Sequence, residues 1–128
     1  MNKIVNIQVV VMFKQLLSPN YDYFETSGKV RKTFKDFRTI SPQFIPGDTS
    51  VMPPEIPRFV FQIPTNGDSV QMTQQSIVFS NSCSISSKTG LSCKLEEIAT
   101  AISTFIYELD LSVSVRFGIV LNGIKSTE

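Results

Sequence analysis

The sequence predicts an α+β fold: a mostly antiparallel sheet with two helices packed on one face, in the order β-α-β-β-β-α-β. Three observations predict it. Apolar residues recur with period two in the first and last apolar segments. An Asn-Gly pair divides two alternating runs in the middle, which is a hairpin signal. One long segment ahead of the last strand carries helical periodicity instead. At 128 residues, one domain with a single core is expected over positions 1–128.

In the opening segment Val5, Ile7, Val9, Val11 and Phe13 are apolar, while Asn6, Gln8 and Lys14 are polar, so one strand face is buried. Val10 and Met12 on the other face point to an interior strand with that side partly covered. Next, Ser18 before Pro19 offers a helix N-cap with proline at the first helical position, and Gly28 offers a later start near Ser27. Either start leads into VRKTFKDFR, Val30 to Arg38. There Val30, Phe34 and Phe37 fall at i, i+4, i+7, the spacing of a core-facing stripe. Arg31, Lys35 and Arg38 repeat that spacing about 100° round the cylinder. Lys29 and Lys32 lie nearby, so one flank of this helix is basic.

Positions 41–57 hold five of the seven prolines. A proline lacks the N–H that a helix interior or central strand needs, so this is a surface connection, anchored by Phe44, Ile45, Val51 and Met52. Phe59, Phe61 and Ile63 then alternate with Arg58, Val60 and Gln62 as a strand. Asn66-Gly67 turns it into a return strand through Val70 and Met72, and SIVFS gives a third after a turn at Gln74 and Gln75. SCSISSKTGLSC reads as a polar loop. In KLEEIATAISTFIYEL, Leu95, Ile98, Ile102, Phe105, Ile106 and Leu109 share one side of a helix, with Glu96, Glu97, Thr100, Ser103 and Glu108 on the other. The last strand alternates through Val113, Val115, Phe117, Ile119 and Leu121.

Composition then narrows the chemistry. There is no histidine, which removes the commonest general base and metal ligand, and two cysteines cannot complete a four-ligand zinc site alone. No glycine-rich phosphate loop is present, and Lys88-Thr89-Gly90 lacks the Ser-x-x-Lys partner of the acylase motif it matches. Glu96 and Glu97 are helical neighbours that point apart, and Asp48 and Glu55 fall in the proline-rich connection. An enzyme is therefore not expected, and neither is a cofactor or a metal. No apolar run reaches the ~18 residues of a membrane span. The N-terminal apolar stretch alternates as a strand and lacks a cleavage site, so the expected location is the cytoplasm, with Cys83 and Cys93 as free thiols. In a secreted protein the same two cysteines could form one bridge.

Two surfaces remain as candidates for binding. One is the basic flank of Arg31, Lys32, Lys35 and Arg38. The other is the sheet face away from the helices, where alternation places Arg58 and Arg116 beside Gln62 and Ser114. The stretches PRFVF (Pro57–Phe61) and VRFGIVLN (Val115–Asn122), taken with the element order, resemble the N-terminal half of an uncharacterised, sporadically distributed bacterial protein family. No arginine-tyrosine pair follows Gly118, and Asn122 falls one position early against that pattern. The resemblance implies a fold and no activity.

The function these readings predict is a non-enzymatic protein-protein interaction module with an acidic protein partner, in its narrower form an inhibitor, immunity or antidefence factor. The alternative is a nucleic-acid-associated module using the basic flank. A net charge of +1 weighs against the alternative, since whole-molecule attraction to phosphate is weak.

Overall fold

A computed structural model of the chain describes residues 3–47, 51–109 and 115–124. The strand alternation and the helical periodicity both take physical form in it. One antiparallel sheet is built from β1 (Lys3–Phe13), β2 (Gln43–Phe44), β3 (Phe59–Gln62), β4 (Ser69–Met72), β5 (Ser76–Ile85) and β6 (Val115–Ile124). Its spatial order is β2-β3-β4-β5-β1-β6. Helices α1 (Tyr23–Thr33) and α2 (Lys88–Glu108) pack beside each other on one face. The fold is α+β, as expected. β1 is interior, between β5 and β6.

Period two in β1 buries Ile7, Val9, Val11 and Phe13 under the helices. Near its start a bulge shifts the register between Ile4 and Asn6 against both neighbours. The extra residue changes the phase of the pleat, so Ile4 joins the core and Val5, expected there, is half-buried. On the opposite face Val10 is half-buried and Met12 exposed, so that side is covered only in part.

The β3–β4 turn forms at Asn66-Gly67: Gly67 takes φ +78°, and the Asn66 side chain accepts the Asp68 N–H at 2.9 Å. The β4–β5 turn is closed by Thr73, whose hydroxyl accepts the N–H groups of Gln75 and Ser76. Asp68 is buried, and its carboxylate accepts the Ser82 N–H at 2.7 Å, tying the hairpin to β5.

The helix boundaries differ from those expected. Asp22, and neither Ser18 nor Ser27, caps α1: its Oδ1 accepts the Glu25 N–H at 2.9 Å. The helix runs through Gly28 and stops at Thr33, because Phe34 adopts an extended conformation before a single 3₁₀ turn, Lys35–Phe37. Val30, Phe34 and Phe37 still reach the core, but from three backbone settings rather than one helical stripe. The expected polar loop 82–93 is also absent. β5 continues to Ile85, and Ser87 caps α2 by accepting the Gly90 N–H, so the helix begins at Lys88.

The core joins both helices to the sheet. Phe105 is fully buried against Phe34 and Phe79, at ring distances of 5.6 and 5.9 Å. In register, Phe61, Val70, Phe79, Val9 and Ile119 form one row across the sheet, and Phe59, Met72, Ile77, Val11 and Phe117 form the next. Along both rows every residue as far as β1 is at most 4% exposed. At β6 the rows end abruptly: Ile119 is 56% exposed and Phe117 52%. Two helices do not reach across six strands, and β6 lies beyond their cover.

Candidate functional site

The expected basic flank is real in part and divided by the helix break. Arg31 and Lys32 lie in the last turn of α1, where cations also suit the helix dipole. Beyond Phe34 the 3₁₀ turn folds the chain back, bringing the Arg38 carbonyl to the Arg31 guanidinium, which donates to it from Nε at 3.3 Å and Nη2 at 3.0 Å. Arg31, Lys32 and Arg38 thus surround a shallow depression of about 480 Å³ floored by Gly28. Lys35 does not join them. It stands with Asp36 at a separate groove of about 310 Å³ between the 3₁₀ turn, β4, β5 and α2, whose far wall carries Lys94 and Glu97.

Among the described residues the one ion pair is Lys29 to Glu25, at 3.7 Å. No described carboxylate forms an ion pair with Arg31, Lys32 or Arg38. Phe24 stands four residues before Gly28 and seven before Arg31, on the same face of α1. It is 77% exposed and stacked on Phe44 of β2 at 5.8 Å. Sequence reasoning missed Phe24 although a start at Ser18 includes it, because an exposed phenylalanine carries no periodic signal of its own; with Asp22 as the cap, the i, i+4, i+7 spacing to Gly28 and Arg31 is plain.

Arg58 was expected on the open sheet face, and the structure overturns that placement. It is 3% exposed and precedes β3, where the pleat has not begun. Its guanidinium donates to the carbonyls of Ile56 (2.9 Å) and Pro53 (3.3 Å) and to Oε1 of Gln74 (3.3 Å), and it touches the Met52 sulfur. Gln74 in turn donates to the Leu17 carbonyl at 2.7 Å. Proline-rich backbone has carbonyls without matching N–H groups of its own, and a buried arginine supplies the donors. Burial raises the pKa of the neighbouring Tyr23 hydroxyl, and the Arg58 charge opposes that rise. Arg58 is a clamp on the 41–57 connection and no part of a docking surface. Of the expected anchors in that connection, Val51 is exposed, while Phe44 packs against Phe24 and Phe59.

Arg116 is exposed on the open face of β6, opposite Met12. It does not meet Arg58, since β3 and β6 are separated by three strands, a span of roughly 19 Å at the usual strand spacing. Ser114 lies outside the described residues.

A second feature lies along β6. Phe117 and Ile119, with Val9 and the α2 residues Leu95, Ala99 and Ser103, line an apolar groove of about 250 Å³. Cys83 and Cys93 are free; burial raises the Cys83 thiol pKa, with Lys94 opposing and Asp68 reinforcing the rise. Among the described residues no group of three His, Cys, Asp or Glu side chains gathers, and no helix is long and apolar enough to cross a membrane. No family model, curated protein or solved structure matches this chain.

Proposed function

We propose that this chain is a non-catalytic protein-binding module that receives an acidic partner on α1. The observation that carries the reading is the alignment of Phe24, Gly28 and Arg31 on one helix face, with Lys32 and Arg38 beside them and no described carboxylate neutralising them. An exposed aromatic next to bare glycine backbone and two arginines combines the residue types enriched in binding surfaces. The sequence without histidine supports the non-catalytic part. An inhibitor, immunity or antidefence factor is the narrower form of this reading, supported by the small size of the domain. Residence in the cytoplasm belongs with it, supported by two unbridged cysteines.

One observation favours a second reading. Phe24 stacked on Phe44 beside three cations also resembles the aromatic-and-basic platform of single-stranded nucleic-acid binders. Affinity capture from the native host separates the two. A protein captured by the wild-type chain after nuclease treatment, and lost on Arg31→Glu/Lys32→Glu/Arg38→Glu with unchanged melting, is the expected result. Capture that vanishes with nuclease, and falls steeply between low and moderate salt, transfers the surface to nucleic acid.

A further inference from the structure

We propose that β6 pairs antiparallel with β6 of a second copy of this chain, about a two-fold axis at Ile119, joining two sheets into one of twelve strands. Three observations at this edge converge. The two apolar rows of the sheet run out onto β6 and stop uncovered, with Phe117, Ile119 and Leu121 on the helix side 52, 56 and 40% exposed. The outer edge of β6 has no strand beside it among the described residues, so every second residue of its ten presents an unpaired N–H and C=O there. Edges of monomeric sheets are usually blunted by proline, lysine or shortness. β6 has no proline and one charged side chain, Arg116.

A second strand pairs a whole edge at once, and this strand is complementary to itself. Centred on Ile119, the register sets Phe117 opposite Leu121 on the helix side, extending the apolar rows through the seam. On the open side it sets Val120 opposite Gly118, where the space for a Cβ is empty. Arg116 falls opposite Asn122, so the two arginines do not face each other. A chain with net charge +1 offers little repulsion to its own copy. One strand edge and the groove beside α2 form the whole seam, a small contact that suits a reversible dimer. The contact is isologous, as a two-fold requires.

Sedimentation equilibrium of the full chain from about 1 to 200 µM tests this. The wild type is expected to pass from monomer to dimer with a micromolar constant. Ile119→Lys, which brings two ammonium groups together at the axis, weakens association at least tenfold. Asn122→Glu gives up the 3.2 Å donation from Asn122 Nδ2 to Asn6 Oδ1 within the chain and places a carboxylate opposite each arginine across the seam, tightening association about fivefold with cross-strand charge pairs at their usual strength. This second variant gains binding, so misfolding cannot imitate it. A wild type that stays monomeric over the whole range overturns the proposal, as does an Asn122→Glu chain that associates no more tightly. A monomeric chain that captures an extended segment of another protein on β6 also overturns it. The α1 charge reversal leaves the dimer intact, so the fate of this proposal is independent of that surface.

Discussion

At one edge of the sheet β2 is two residues long, while at the other β6 runs for ten. The short edge is closed by several devices together. Prolines flank β2, Phe44 stacks on Phe24 and packs at a tilt against Phe59, and the buried Arg58 guanidinium collects the carbonyls of the chain that leads back to β3. The long edge carries an apolar face that no helix covers and has no blunting residue but Arg116. The difference teaches how a small helix layer is rationed. Two helices cover the sheet from β3 to β1, the proline-rich connection finishes the β2 side, and nothing described finishes the β6 side.

Beneath both edges lies the aromatic cluster of Phe34, Phe79 and Phe105. Phe105→Ala is expected to have the largest effect, a loss of about 4 kcal/mol in urea unfolding, because it leaves a cavity where no solvent reaches. A loss under about 1 kcal/mol would show that α2 presents another face to the sheet.

Arg58→Ala comes next and strikes the closed edge alone. It leaves the carbonyls of Pro53 and Ile56 and the amide oxygen of Gln74 without their donor, at a cost of about 2 kcal/mol. Limited proteolysis is expected to shift to cleavage within residues 41–57 while β6 amides keep their hydrogen-exchange protection. Equal loosening at both edges would mean that the two are not independent.

The smallest effect belongs to the open edge. Ile119→Lys in the dilute monomer is expected to change stability by less than about 1 kcal/mol, the range of exposed sites, despite replacing an isoleucine in a sheet. A thermal melt at low concentration measures it. If the monomer unfolds instead, β6 is covered in solution by its own chain, and the contrast between the edges disappears.

The candidate surface was legible only in pieces. The i, i+4, i+7 spacing picks out Arg31, Lys35 and Arg38 with Lys32 nearby; Arg31, Lys32 and Arg38 do converge, but through a backbone reversal at Phe34 that no periodicity encodes. The same reversal carries Lys35 to another groove. Phe24 was missed because its exposure depends on what stands opposite α1, which the helical spacing does not record. Arg58 misled because alternation assigns faces only to residues inside a strand, and this one sits just ahead of its strand.

The sequence by itself determined the α+β class, the order of the long elements, the Asn66-Gly67 turn and the burial of Phe59, Phe61 and Phe105. Those features rest on local geometry: side chains repeat every two or 3.6 residues, and positive φ favours glycine. Tertiary structure alone decided that Arg58 is buried and that Phe117, Ile119 and Leu121 are not. Burial depends on what stands opposite a residue, and for a strand that depends on its place in the sheet and on how far the helices extend. Alternation marks which face of β6 is apolar. It carries no information about whether anything lies over that face.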